Sequence, residues 1–205
     1  MGNKIKSENM KKVIVNLGCD KTRIPGSIGV DGVKIKGFVD IVHNLNKLPY
    51  PFKSSSINEI HLYHVLEHLD NPIKKLEEIH RILKPGGKLF IRVPHFSSMA
   101  AFTDLTHLRP FSCFSFDCFE IDHYQHFYAK VKYKVLKREI KYFGLYPNKG
   151  LYAKYIHKNE GLLIFRPFVL LINFLIRLSP IFFERFWCYY VGGATEVCVT
   201  LEKVK

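Results

Sequence analysis

The sequence predicts a three-layer α/β fold, a mostly parallel sheet with helical cover that ends in an antiparallel pair of strands. Three observations predict it. Short apolar runs stop at Gly18, at Asp31 and before His64, the spacing of successive buried strands. An amphipathic helix pattern follows one such run and leads into another, and a strand–helix–strand unit of this length closes as a right-handed parallel crossover. Two late segments alternate apolar with polar residues, as half-exposed strands do.

Residues 12–17 read as the first strand, and the short turn over 19–27 leaves no room for a full helix before the second, 28–31. A third strand is expected over 38–45. Leu48-Pro49-Tyr50-Pro51-Phe52 is an extended segment, because each proline disfavours helix at the residue before it. The fourth strand covers 56–63, with a loop or short helix at 64–69. Asp70-Asn71-Pro72 then opens a helix with a capping side chain and a proline in the first turn. Ile73, Leu76, Ile79 and Leu83 share its apolar face, while Lys74, Lys75, Glu78 and Arg81 fall elsewhere. Pro85-Gly86-Gly87 is expected to stop the helix, and 88–93 forms the fifth strand. Residues 95–120, rich in Phe, Ser, Thr and His, read as loops and a short helix over the strand ends. The late strands are expected at 130–143 and 194–204.

The 205 residues suit one domain spanning 1–205, with an apolar helical insertion at about 160–188 before the last strand. A hydrophobic content of 47% with 24% charged residues excludes a disordered chain. The five cysteines are odd in number, no C-x-x-C pair occurs, and the polar start has no apolar leader core. These features predict a reduced, cytoplasmic protein without a structural zinc site. The net charge is +13, of which +8 lies after residue 121. Such a surface suits nucleic acid, anionic lipid or a phosphorylated substrate, and a solvated lysine-rich face explains it equally well. Residues 162–187 are strongly apolar but interrupted by Arg166, Pro167, Asn173, Arg177 and Pro180, so they do not form a clean membrane span. They are expected to pack on their own domain, to join a homodimer, or to lie at a membrane surface as a peripheral contact.

The ordered segments Asn16-Leu17-Gly18-Cys19, Gly29-Val30-Asp31, His64-Val65-Leu66-Glu67-His68-Leu69 and Arg81-Ile82-Leu83-Lys84-Pro85-Gly86-Gly87 resemble those of the class I S-adenosylmethionine-dependent methyltransferases. The closest likeness is to the small-molecule, methyltransferase type 11-like subgroup. The resemblance covers about residues 13–94, and the two late strands fit the family's terminal hairpin. It implies a Rossmann-like sheet and S-adenosyl-L-methionine as cofactor. It further implies that Asn16, Gly18, Cys19 and Asp20 surround the methionine end, and that Asp31 accepts the ribose hydroxyls. Leu45 and Asn46 would meet the adenine, and His64 would border the groove. The family's first loop usually carries several glycines; here Asp20 stands where glycine is common.

The cofactor carries the methyl chemistry, and the protein must orient the acceptor and manage a proton. The candidates lie after the fifth strand: His95, Asp104, His107 and Arg109. Asp104 and His107 could form an acid–imidazole pair, and His95 directly follows the strand end. Glu67 and His68 are expected mainly to organise the local fold. Asp104, His107, His123 and His126 match no specific metal spacing, so no metal is expected. The resemblance implies a small-molecule or glycan-type acceptor methylated at oxygen. An RNA or protein methyltransferase using the basic surface, and an inactive fold serving as a binding or membrane adaptor, are the alternatives. Nucleic acid is not the favoured partner, since no separate module for it occurs. Absence of G-x-G-x-x-G argues against a nicotinamide dehydrogenase, and absence of G-x-S-x-G against a serine triad.

Overall fold

The computed structural model describes residues 12–120, 122–142 and 166–204. The polar start, the end of the strand expected at 143 and the segment 160–165 lie outside the described residues. Strand β1 (Ile14–Leu17) is buried at Val15, Asn16 and Leu17. It pairs in parallel with β2 (Ser27–Asp31) on one side and β4 (Ile57–Tyr63) on the other. A two-residue strand, β3 (Ile41–Val42), extends the sheet beyond β2. Strand β5 (Leu83–Pro94) adds in parallel to β4, and β7 (Glu196–Lys203) pairs antiparallel with both β5 and β6 (Tyr133–Lys141). The seven-stranded order is β3-β2-β1-β4-β5-β7-β6. The direction of strand addition therefore reverses between β1 and β4, where α/β sheets bind ligands at their carboxyl ends.

Helix α1 (Pro72–Ile82) begins at Asn71, whose side chain accepts a hydrogen bond from the Lys74 amide. Leu76, Ile79 and Ile82 form its buried stripe. Leu83 does not join that face: it is buried as the first residue of β5, opposite Ile57, and the ladder resumes only at Glu59 opposite Lys88. The helix thus ends before Pro85-Gly86-Gly87, which form an outward bulge in the strand, because the sheet takes Leu83 first. Lys75 and Glu78, expected outside the apolar face, are buried too. Lys75 Nζ donates to the Asn46 carbonyl at 2.8 Å and meets Asp70 at 2.9 Å, while Glu78 accepts from the Tyr50 amide and from Arg81. These bonds lash the proline-rich segment to α1.

The third strand is shorter than the expected 38–45. The Asp40 amide donates to the Gly29 carbonyl, and its carboxylate accepts from the Gly29 amide at 2.8 Å and from Arg23 at 3.0 Å. A side chain thus replaces one rung of the ladder. No helix intervenes between β1 and β4; loops make those connections.

A short helix, α2 (Ala100–Thr103), follows β5, and two longer elements precede β7. Helix α3 (Arg166–Leu178) meets α4 (Pro180–Tyr190) at a 107° bend, where Ser179 caps α4 ahead of its first proline. Val169, Ile172, Ile176 and Phe183 are buried against the domain. Asn173 accepts from the Tyr142 amide at 2.9 Å, and Arg177 pairs with Glu139 at 2.7 Å, so α3 lies along the β6 edge. The other side of both helices is exposed. Among the described residues no single helix is long and apolar enough to cross a membrane.

Glu184 pins α4 to the domain. One carboxylate oxygen accepts from the Cys113 amide at 2.8 Å and meets His95 Nε2 at 3.1 Å; the other accepts from the Ser112 hydroxyl at 2.5 Å. Burial opposes its charge, but these donors outweigh burial and hold the carboxyl below the usual glutamate range. A carboxyl lowered on folding stabilises the fold above its unfolded pKa, and that stability is lost as the pH falls through the folded one. The urea midpoint should therefore drop between about pH 5 and pH 3 in the native chain, and Glu184→Gln should flatten that slope. An unchanged slope in the variant would show that Glu184 is not the group responsible.

Gly18 faces a steric limit. It has φ +67°, and a Cβ there would lie 2.2 Å from Val65 Cγ2, a stiff side chain just after β4. Gly18→Ala should cost about 1–3 kcal/mol from backbone strain alone, read as a lower urea midpoint. Adding Val65→Ala should recover the part due to the clash; strict additivity of the two changes would exclude that contact as the cause.

Candidate functional site

Parallel register sets Leu17 beside Val30, so Gly18 and Asp31 leave the sheet side by side. The amides of Gly18 and Cys19 both donate to the Val30 carbonyl, at 2.8 and 3.2 Å. Asp20 takes φ 42°, a left-handed angle that aspartate tolerates better than most residues, and its side chain is exposed. Its amide donates to Asp31 Oδ2 at 2.9 Å, while Asp31 Oδ1 has only a long contact, 3.4 Å, from the Val33 amide. The loop thus achieves with one glycine and one aspartate the tight turn for which the family commonly uses several glycines. A carboxylate with spare acceptor capacity beside such a turn fits the diol and amino-acid ends of S-adenosylmethionine.

The other residues assigned to this end brace it. Asn16 is buried and donates to the Thr22 carbonyl at 2.9 Å. Cys19 is buried with its thiol on the Phe38 carbonyl; burial first, and the Asp31 charge next, push that thiol up. Two residues were expected at the adenine end. Leu45 packs in the core, with its carbonyl accepting from the Tyr50 hydroxyl at 3.1 Å. Asn46 is exposed, but its side-chain oxygen accepts from the Asp70 amide at 3.1 Å and so helps hold the start of α1.

A cavity of about 510 Å³ opens at the carboxyl ends of β4 and β5, beside the start of β7. His64, Glu67 and His68 form one wall; Ser97, Ser98 and Met99 form a second, with Asp104 and His107 beside them; Tyr142, Ala194 and Thr195 complete it. Gly193 is required here, because a Cβ would lie 2.3 Å from the Ser97 carbonyl. Its neighbour Ala194 donates its amide to the Ser97 hydroxyl at 3.0 Å.

His64 joins the two halves of this wall. It has φ 56°, strained for a residue with a side chain. Its Nε2 meets Glu196 at 2.8 Å and its Nδ1 lies 3.4 Å from Glu67. Burial opposes its charge, yet Glu196 and Glu67 outweigh burial and raise the imidazole to about 9. Glu196, buried at the head of β7, would be raised by burial but is brought down to about 2 by His64 and Arg92, the latter 2.7 Å away. The pair is therefore ionised at neutral pH.

His107 lines the cavity, with Nδ1 3.2 Å from the Ala101 carbonyl. A carbonyl only accepts, so Nδ1 carries the proton and Nε2 presents a lone pair. Asp104 Oδ2 is 3.8 Å from that Nε2, and the Thr106 hydroxyl and amide hold the Asp104 carboxyl below its usual range. Two other catalytic candidates are corrected. His95 is fully buried, with its ring nitrogens engaged by Ser97 at 2.7 Å and Glu184 at 3.1 Å; it anchors the loop rather than facing the cavity. Arg109 donates to the Leu69 carbonyl and, at 2.6 Å, to the Asp70 carbonyl, tying the loop to the start of α1. His123 and His126 do not line the cavity. Sequence reasoning missed Glu196, Glu184 and the cavity-facing role of Glu67 and His68. An acid at the head of an alternating strand, directly before Val197, was the available signal for Glu196.

A family profile described as a methyltransferase domain matches residues 11–138. No curated protein matches the sequence. Among solved structures, a SAM-dependent methyltransferase from Archaeoglobus fulgidus is 15% identical with a TM-score of 0.51, covering 94% of this chain and 86% of its own. The methyltransferase in a complex with the Trm112 methyltransferase activator of Haloferax volcanii is 14% identical with a TM-score of 0.52, covering 95% and 83%. The [4+2]-cyclase SpnF is 15% identical with a TM-score of 0.52, covering 94% and 75%. At these identities the structures establish a shared fold, and the cyclase among them warns that this fold does not dictate one reaction. With the profile spanning most of the chain and the sheet order in agreement, this protein belongs to the family of class I S-adenosylmethionine-dependent methyltransferase domains.

Proposed function

We propose that this protein transfers a methyl group from S-adenosyl-L-methionine to a hydroxyl of a small-molecule or glycan-type acceptor. The observation that carries this reading is the imidazole of His107, its Nε2 lone pair free and an aspartate beside it, in a cavity at the carboxyl ends of β4 and β5. S-adenosylmethionine, when bound, supplies an electrophilic methyl on a positively charged sulfur. Asp31 holds the ribose through its carboxylate, and the Gly18–Asp20 turn receives the amino-acid end. Met99, Ala194 and the ring of Tyr142 give the cavity an apolar lining for the acceptor. His107 accepts the acceptor's proton at Nε2, and Asp104 compensates the charge that develops on the ring. Among the described residues no lysine or arginine lines the cavity, which favours a small acceptor over a nucleic-acid backbone. All five cysteines are free, which supports a cytoplasmic setting.

One further observation extends the reading to a membrane surface. Phe168, Leu171, Phe174, Leu178 and Phe182 are each more than half exposed on α3 and α4, with Tyr189, Tyr190 and the exposed Arg177 and Arg185 alongside. Aromatic and apolar residues edged by arginine suit the interface of an anionic bilayer. In this reading the enzyme is peripheral and works on its acceptor beside the lipid.

Asp31→Ala should weaken donor binding by about tenfold or more, since it removes hydrogen bonds to a charged group, while the variant stays folded. A normal dissociation constant in calorimetry would remove Asp31 from the site. His107→Ala should cut turnover about a hundredfold or more with donor affinity kept; unchanged turnover would retire it as the base. Changing Phe168, Phe174 and Phe182 together to Ser should abolish sedimentation with anionic vesicles. Loss of a dimer instead, by light scattering, would assign the face to a second copy of the chain.

A further inference from the structure

We propose that Glu67, His68 and His107 form a binding site for a divalent first-row transition-metal cation in the wall of the acceptor cavity. Their ligand atoms all lie within 4.8 Å of one another. A carboxylate with two imidazoles is an ordinary donor set for Zn²⁺, Mn²⁺, Fe²⁺ or Co²⁺, whereas the imidazoles disfavour Mg²⁺ and Ca²⁺.

Three independent features point to a ligand here. The first is the state of Glu67. Its side chain is 1% exposed and neither carboxylate oxygen has a hydrogen-bond partner. The approach of His64 Nδ1 to Oε1, at 3.4 Å, is an ion-pair distance rather than a good hydrogen bond. A buried carboxylate without donors is costly, and such groups are normally paired or coordinate metals.

The second is the orientation of the imidazoles. His107 Nδ1 donates to the Ala101 carbonyl. His68 Nδ1 is 2.8 Å from the Thr106 hydroxyl, whose own proton goes to Asp104 Oδ1 at 2.7 Å. The Thr106 oxygen must therefore accept from His68, and in both rings Nε2 is left with the lone pair. A ring that gives its other N–H to a carbonyl or hydroxyl is how metal-ligating histidines are fixed in tautomer and angle.

The third is how the backbone assembles the set. Glu67 and His68 share one helical turn, Leu66–His68, and the Leu108 amide donates to the Glu67 carbonyl at 2.8 Å. That bond brings His107 to them across 39 residues of chain. Three protein ligands beside a cavity leave coordination positions open to water or to an acceptor oxygen.

This deepens the methyl-transfer reading and rests on it for the cation's role. Coordination would occupy the Nε2 of His107, so in the loaded protein the cation would supply the acidity of the acceptor hydroxyl, and Asp104, 3.8 Å from that Nε2, would stand beside it to take the proton. Without metal, His107 takes the proton with Asp104 beside it.

The test uses the untagged full chain, stripped with chelator and titrated with Co²⁺ by calorimetry and visible absorption. One equivalent should bind, without the charge-transfer band of a thiolate ligand. Glu67→Gln, His68→Ala and His107→Ala should each weaken binding at least about tenfold, as should Thr106→Val, which keeps all three ligands and removes the hydroxyl that His68 and Asp104 share. His123→Ala should leave it unchanged. Glu67→Gln is expected to fold, since the amide keeps the shape of the carboxyl and His64 keeps its shorter contact with Glu196; if it does not, the two histidine variants decide. Absence of binding, or full affinity in these ligand variants, overturns the proposal. S-adenosylmethionine is titrated separately. Donor binding without cobalt binding rejects the metal site and keeps the methyltransferase, whereas cobalt binding without donor binding does the reverse.

Discussion

The carboxylate of Glu184 holds both ends of the loop that builds the cavity. It meets His95 at the loop's start and Ser112 and Cys113 at its finish, and a parallel bridge between His95 and Phe111 closes the base. Everything between those anchors hangs from them, including Ser97, Asp104 and His107. A loop of this length would ordinarily be a mobile lid. Here a buried charge with three donors fixes its footing, while residues along its span stay exposed, such as Leu105 at 97%. Rigid ends with an open middle let the reactive groups be positioned without burying the mouth of the cavity.

The second constraint lies at the reversal of the sheet. The turn after β1 and the turn after β4 press together where Gly18 meets Val65, leaving no room for a Cβ. Behind Gly18 stands the donor turn with Asp31; behind Val65 stands the helical turn carrying Glu67 and His68. One van der Waals contact thus sets the distance between the Gly18–Asp31 turn and the wall of the cavity. Methyl transfer requires the acceptor atom within about 3–3.5 Å of the methyl carbon, so a fixed spacing between these turns is what the chemistry demands.

The parallel core was legible because its signals are local. Apolar runs ending in Gly18 and Asp31, and a helix capped by Asn71 and Pro72, depend on residues within a few positions. Both late strands were legible by alternation, and the short first connection by its length. Three things were not legible. Asp40 replaces a backbone rung with its side chain, so β3 is shorter than its apolar run. Leu83 obeys the helical period and is nevertheless taken by the sheet, since tertiary burial outweighs helix pattern at a boundary. His95 stands where a base should be, yet the distant Glu184 draws it inward. The network of His64, Glu196 and Arg92 was hidden for the same reason, for it exists only when antiparallel β7 sets Glu196 opposite Pro94. Periodicity reports faces of single elements, and these residues are defined by partners about ninety or more positions away.

The C-terminal helices bring these threads together. The connections between β1 and β4 are loops, so among the described residues the main helical additions are α1 and the bent α3–α4 pair. The bent pair buries only a stripe, presents its other side as an apolar surface, and contributes Glu184 from within α4. It also leads directly into Gly193, Ala194 and Thr195, which line the cavity. The exposed surface and the acceptor wall are therefore two sides of one short stretch of chain. Glu184 reaches His95 and Ser112, and Gly193 packs on Ser97, the two supports of the loop that lines the cavity.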